Sequence, residues 1–309
     1  MREAVKVACV QAEPVLFDRD ATIERVGELV AEARSNGAQL AVFPEAFIPV
    51  YPSSRWVRFL AGWTDGDAKP AYARLARESI EIPSPASERL GEIAREHGVW
   101  LAVGANERDG GTIYNALLLY GTDGELVSHH RKLVPTNHER LVWGLGTGEG
   151  LRAVDTELGR IGGLICWENL MPLARFALYE SGIEIYLAPT ADDGESWHES
   201  MRHIARESRS FVVSCCVIQR ASSYPEDVPL AEGDELVGRG GSAILGPDGS
   251  YLAGPLWDEE GILYGELDPM RLHEERQRFD AAGHYHRPDV LSLRVRGGTR
   301  RERSARSGP

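Results

Sequence analysis

The sequence predicts an α/β fold with a mixed sheet. Two observations carry this: strand-like apolar runs alternate with segments of helical apolar spacing through most of the 309 residues, and Asp123-Gly124 and Asp248-Gly249 each sit between apolar runs as hairpin turns, so antiparallel pairs belong to the sheet. In order, Val5 to Gln11 reads as a strand and Ala21 to Ser35 as a helix. Gln39 to Phe43 is a second strand, followed by helices over Ala71 to Glu78 and Ala86 to Glu96. Val99 to Ala105 and Tyr114 to Tyr120 are strands, and Val127 to Arg131 is strand-like ahead of Lys132. Arg160 to Ile165 is a short buried-type strand, and Leu170 to Glu180 a helix. The strand Glu184 to Ala188, the helix Ser196 to Ser210 and the strands Phe211 to Ile218, Ser242 to Leu245 and Gly261 to Leu267 complete the pattern. Ala221 to Glu235, with five acids and two prolines, reads as an exposed loop.

Three side chains carry candidate chemistry. Cys166 stands where a strand gives way to a helix, in Gly159-Arg-Ile-Gly-Gly-Leu-Ile-Cys-Trp-Glu-Asn-Leu170. A thiol there is projected from a rigid strand end near a helix N-terminus, which predicts a lowered pKa and a nucleophile. A lone cysteine is more often a small buried hydrophobe. Glu45 closes the apolar strand Gln39-Leu-Ala-Val-Phe-Pro-Glu45, where burial raises a carboxyl pKa toward the range of a general base; the alternative is a solvated loop-mouth residue. Lys132 ends the strand-like stretch before Pro135, a position usually taken by surface charge.

Together these segments resemble the nitrilase family, carbon-nitrogen hydrolases that carry a glutamate, a lysine and a cysteine in this order at the ends of three strands. The resemblance covers nearly the whole chain through Phe43-Pro-Glu-Ala-Phe47, His130-Arg-Lys-Leu-Val-Pro135, His138-Glu-Arg-Leu-Val-Trp-Gly144, Cys166-Trp-Glu-Asn169, Ala188-Pro-Thr-Ala-Asp192 and Gly283-His-Tyr-His-Arg-Pro-Asp289. Cys166-Trp167-Glu168 is similar to the true nitrilase branch, whereas amidase branches usually carry Cys-Tyr-Asp. The resemblance implies a four-layer α-β-β-α sandwich with mixed sheets, and hydrolysis of an organic nitrile to its acid and ammonia. Cys166 would form a thioimidate and then a thioester, Glu45 would act as general base and acid, and Lys132 would stabilise the intermediates. Glu139 matches a further pocket glutamate; a polar loop residue is its plain alternative. Trp167, through its backbone N–H, Tyr51 and Thr190 are the substrate-binding candidates. The same residues would also serve a cyanide hydratase or dihydratase or an aliphatic amidase, and a non-catalytic binding member of the fold is a third reading.

Glu168 reads as a cap on the following helix, and Asp192 and Asp193 as pocket-mouth or helix-start residues. Tyr51, Trp56, Phe59 and Trp63 after Glu45 hint at an aromatic-walled pocket. Because positions 45, 132 and 166 must meet in one site, residues 1–290 are expected to form a single carbon-nitrogen hydrolase domain, with 291–309 an arginine-rich tail, disordered or intersubunit. The tail from 294 carries six arginines and one glutamate, +5 against −18 for the rest of a chain of net charge −13. That acidic body excludes nucleic acid as a partner. Apolar runs are too short to span a bilayer and the N-terminus enters a strand directly, so the expected location is cytoplasmic and the partners a small nitrile and water. Cysteines at 9, 166, 215 and 216 have neither disulfide nor metal spacing; reduced thiols, no metal and no cofactor are expected. A homodimer or higher homo-oligomer is expected from the resemblance.

Overall fold

The layers follow from the two faces of a strand. In a computed structural model that describes residues 1–62 and 68–297, β1 (Val5–Gln11) sends Val5, Val7 and Cys9 to one side and Ala8 and Val10 to the other, and both sets are buried. A strand covered on both faces reads as a continuous apolar run, which is how it appears in the sequence. The remaining elements are α1 (Arg19–Ser35), β2 (Leu40–Val42), α2 (Ser54–Val57), α3 (Ala68–Glu78), α4 (Pro85–His97), β3 (Trp100–Asp109), β4 (Thr112–Tyr120), β5 (Leu126–Arg131), β6 (Val154–Thr156), β7 (Gly159–Gly163), α5 (Pro172–Glu180), β8 (Ile185–Leu187), α6 (Glu195–Ser208), β9 (Phe211–Ser214), β10 (Ile218–Arg220), β11 (Leu236–Leu245), β12 (Tyr251–Trp257), β13 (Gly261–Leu267) and α7 (Pro269–Arg278).

One sheet has the order β13-β1-β2-β3-β4-β5, the other β10-β11-β9-β8-β7-β6 with β12 beside β11. The centres are parallel (β1-β2-β3 and β7-β8-β9) and the edges antiparallel, so both sheets are mixed, as expected. Helices α1 and α4 pack Ile23, Val26, Val30, Leu90 and Ile93 on the outer face of the first sheet. The inner faces meet through Val7, Leu40, Leu117, Ile161, Ile185, Phe211 and Val213. Helices α5 and α6 cover the second sheet with Ala174, Leu178, Trp197, Met201, Ile204 and Ala205. The result is the expected α-β-β-α sandwich.

Local signals set the helix ends. The Asp18 side chain accepts from the Ala21 N–H at 3.0 Å to start α1, and Ser84 with Pro85 starts α4 before Gly98, at φ +59°, stops it. The stretch expected as one strand over 211–218 is two: β9 pairs with the end of β11, after Ser214 the chain follows the residues beyond β8, bonding Val217 N–H to Thr190 O at 2.9 Å, and β10 then pairs with the start of β11. The acidic loop 221–235 is not simply exposed. Tyr224 and Val228 are buried against Phe17, Trp56 and neighbouring apolar groups, and Arg55 clamps the carbonyl of the buried Ala231 with two N–H groups. Trp63 and the tail beyond 297 lie outside the described residues. Among those residues no helix is long and apolar enough to cross a membrane.

Candidate active site

The carboxyl ends of the strands converge on one buried cluster. Strand β2 ends because Pro44 has no N–H to continue the ladder, and the turn after it presses onto β3 at Gly104. A Cβ on Gly104 would lie 2.2 Å from the Pro44 carbonyl oxygen and 2.6 Å from the Ala46 nitrogen, so only glycine admits this approach. Glu45 on that turn is fully buried. Its Oε1 accepts from Lys132 Nζ at 2.7 Å and from Asn115 Nδ2 at 2.8 Å, while Oε2 takes no partner among the described residues. Lys132 follows β5 and is tied to β4 through its N–H to the Asn115 carbonyl at 2.8 Å. Its ammonium also reaches Glu139 Oε2 at 2.7 Å.

Glu139 lies in the short 3-10 turn Asn137–Leu141, where its carboxylate accepts from the Thr136 N–H at 2.6 Å and from the Tyr51 hydroxyl at 2.8 Å. The surface-loop alternative is thereby excluded: Glu139 is buried. Tyr51 in turn packs edge-on against Trp143, whose ring lies under the Lys132 ammonium at 5.5 Å.

Cys166 sits three residues beyond β7 at φ +52°, a left-handed conformation that a non-glycine residue adopts only when its surroundings impose it. The imposing contacts are its own N–H to Pro189 O at 2.8 Å and the Asn169 amide, which donates to the Cys166 and Leu164 carbonyls. Thr190, at the end of β8, donates its hydroxyl to Sγ at 3.3 Å. The Trp167 N–H, at the start of the 3-10 turn, has no acceptor among the described residues. The Trp167 side chain is 49% exposed at the mouth and donates to Asp192 Oδ2 at 2.8 Å.

Carboxylate oxygens of Glu45 and Glu139 and the Cys166 sulfur all lie within 4.8 Å of one another. That spacing would suit a metal ion, and here the Lys132 ammonium supplies the positive charge. Burial, reinforced by the Glu139 charge and only partly offset by Lys132, raises the Glu45 carboxyl to about 7. Burial acts to lower the Lys132 ammonium but is outweighed by the carboxylates of Glu45 and Glu139, so it stays charged. The Cys166 thiol is pushed up, first by burial and then by the Glu45 charge. This reverses the expectation that a helix N-terminus lowers it. The residues after Cys166 form a 3-10 turn, α5 begins only at Pro172, and the dry anionic surroundings dominate. The resting thiol is protonated and lies beside a carboxyl group that has one oxygen without a partner among the described residues.

The structure thus gathers Glu45, Lys132, Glu139, Cys166, Tyr51, Thr190 and Trp167. Trp56 is not a pocket wall, being fully buried against Phe17 at 5.4 Å between ring centres. Asn115 is a site residue the sequence reading missed; its signal was a single amide inside the apolar run Tyr114-Asn-Ala-Leu-Leu-Leu-Tyr120. Glu168 caps the 3-10 turn Cys166–Leu170 by accepting from the Ile165 N–H, and it does more: it is buried and also holds His130 and Leu133 at the end of β5.

The carbon-nitrogen hydrolase family model matches residues 6–277. An aliphatic nitrilase of Sinorhizobium fredii is 44% identical over 293 residues, covering 94% of this chain and 95% of that protein. A bifunctional nitrilase/nitrile hydratase, NIT4B, of Nicotiana tabacum is 41% identical over 302 residues, covering 94% and 86%. Among solved structures, Saccharomyces cerevisiae Nit3, a member of branch 10 of the nitrilase superfamily, matches with a TM-score of 0.71 at 21% identity over 92% of this chain and 97% of that one, a likeness of fold.

Proposed function

The chain belongs to the carbon-nitrogen hydrolase family, and within it we propose a nitrilase that converts an organic nitrile and two waters to a carboxylic acid and ammonia. The observation that carries the reading is the free Glu45 Oε2 beside a protonated Cys166 thiol, with the Lys132 ammonium fixed between two carboxylates. Glu45, with its pKa near 7, takes the thiol proton as sulfur adds to the nitrile carbon. A proton delivered to nitrogen completes the thioimidate. Lys132 and the Trp167 N–H face the charge that develops first on nitrogen and then on oxygen. Water adds to the thioimidate, and ammonia leaves once its nitrogen is protonated, giving the thioester. A second water, deprotonated by Glu45, releases the acid and restores the thiol. Glu139 holds Lys132 in place, and Tyr51 and Thr190 border the reacting groups.

Amide release is a second product of the same intermediate, reached if the thiol rather than ammonia departs; the tobacco relative, a bifunctional nitrilase/nitrile hydratase, supports including it. We also assign residues 1–290 to one domain acting as a homodimer or higher homo-oligomer in the cytoplasm. The exposed Leu170 and Leu173 beside the site support a subunit contact. The test is ammonia and product identity from aliphatic, aromatic and arylaceto-nitriles, cyanide and the matching amides. Acid and ammonia from a nitrile, lost by about 10⁴-fold or more in Cys166→Ala, is the expected result. Amide turnover without nitrile turnover, or formamide from cyanide, would move the enzyme to a sister activity.

A further inference from the structure

We infer that Glu168 is a positioning residue that locks the Lys132 arm of one sheet to the Cys166 arm of the other, a role resting on the nitrilase reading above. Its carboxylate is buried and spends both oxygens on backbone groups next to the two reacting side chains. Oε1 accepts from the Leu133 N–H at 2.6 Å, one peptide beyond Lys132, and Oε2 accepts from the Ile165 N–H at 2.8 Å, one peptide before Cys166. The His130 ring nitrogen Nε2 lies 3.0 and 3.2 Å from the two oxygens and comes from β5 itself.

These contacts connect the two sheets at the reacting residues themselves, whereas other hydrogen bonds between the sheets lie around β1, β2, β9 and β11: Cys215 Sγ donates to the Val10 and Val42 carbonyls and Ser242 N–H to Gln11. Lys132 follows β5, at the edge of the first sheet, and Cys166 follows β7 in the second. Among the described residues no strand pairing joins the two sheets, and the apolar contact between them has no directional preference. A carboxylate accepting from both arms supplies direction. It also satisfies two buried N–H groups that would otherwise be orphaned at a cost of about 1–3 kcal/mol each. The left-handed Cys166 lies directly between Ile165 and the turn carrying Glu168, so the same carboxylate holds the thiol in that conformation. His130 and the two N–H groups outweigh burial and keep Glu168 ionised, as an acceptor to both arms must be.

Each oxygen already faces a backbone N–H, so an amide in this place must turn its NH₂ onto one of them. Glu168→Gln therefore breaks the tie whichever way it rotates. The experiment measures nitrile kcat and KM and the rate of Cys166 alkylation by iodoacetamide, for the wild type, Glu168→Gln and Glu107→Gln. Glu107 is another buried carboxylate, held by His129 and Arg131 on the opposite face of β5 and without contact to the site.

A displacement of the thiol by about 1 Å is expected to lower kcat about 10–100-fold and to slow alkylation, with KM within about twofold, while Glu107→Gln leaves both rates unchanged. A folded Glu168→Gln protein that keeps wild-type kcat and alkylation, or that loses only thermal stability as Glu107→Gln does, overturns the assignment. Should Glu168→Gln not fold, His130→Phe, which removes one of the three partners, decides: lower kcat at unchanged KM supports the tie, and unchanged kcat overturns it. Alkylation needs no nitrile. A wild-type protein without nitrile turnover in which Glu168→Gln still slows alkylation overturns the substrate reading and leaves the tie standing.

Discussion

Strand β5 and the residue after it present two buried acid-base clusters on opposite faces, and the difference between them separates structure from chemistry. On the helix-facing side His129 and Arg131 donate to Glu107 at 2.7 and 2.8 Å, and Arg131 stacks on Tyr114 at 4.1 Å. On the side facing the second sheet Lys132 donates to Glu45 and Glu139. Burial opposes ionisation of both Glu107 and Glu45. At Glu107 two cationic or donor groups overcome it and the carboxyl is held below its ordinary value. At Glu45 a single ammonium is shared with a second carboxylate, Oε2 is left without a partner, and the carboxyl rises to about 7. A structural cluster saturates its acceptors. The site leaves one acceptor of Glu45 open, within a cluster that includes the thiol.

The largest break in that comparison is Glu45→Gln. An amide cannot take the Cys166 proton, and turnover is expected to fall by about 10⁴-fold. Nitrile turnover within about tenfold of wild type in a folded Glu45→Gln protein would remove Glu45 from the proton path. The same argument fixes a pH profile. Glu45 must be ionised to act as base, so kcat/KM and the alkylation rate of Cys166 should rise about tenfold per pH unit up to about 7 and level off above it. An acid limb near the ordinary glutamate value would show that the buried site is wet. Glu45→Gln should abolish the limb in the alkylation profile.

Asn115→Ala gives a smaller effect that sharpens the contrast. The Asn115 amide donates to Glu45 Oε1 and favours its ionised form, so its loss should carry the acid limb to higher pH and lower kcat about tenfold below pH 7, with recovery at alkaline pH. A tenfold loss independent of pH would mean that Asn115 serves the substrate and not the carboxylate.

How much of this was legible in the sequence depended on whether a residue's role left a pattern. The doubly covered strands β1, β2 and β8 were plain as apolar runs, and α1, α4 and α6 as amphipathic segments, so the alternation of layers could be read directly. Strand β12 could not: it lies at an edge, carries Pro255 and is largely half-exposed, so neither alternation nor a continuous run marks it. Helix α7 buries only Leu272 and has no apolar stripe. Glu45, Lys132, Glu139 and Cys166 were found through wording shared with a family, since each alone has an ordinary alternative. Asn115 and Glu168 act through contacts spanning 70 and 35 residues of chain, which no local pattern records. The raised thiol pKa was missed because helix position was weighed without the carboxylates that the fold brings beside it.

The smallest effect on activity belongs to Glu107→Gln, and it tests whether the two faces of β5 are independent. The substitution leaves His129 and Arg131 facing a neutral amide, a cost of about 1–3 kcal/mol that should lower Tm by about 2–8 °C with kcat and KM within about twofold of wild type. The dependence on pH has a definite sign. The Glu107 carboxyl is lower in the folded protein than its unfolded value of 4.5, so its stabilisation is in place above that pH and is lost as pH falls through the folded value. The Tm gap between wild type and Glu107→Gln should therefore be widest near pH 7 and narrow as pH is taken below 4.5. A gap that does not change with pH would mean that packing of the side chain, and not its charge, holds this edge of the sheet. A fall in kcat would mean that the strand transmits a disturbance from its structural face to the site one residue away.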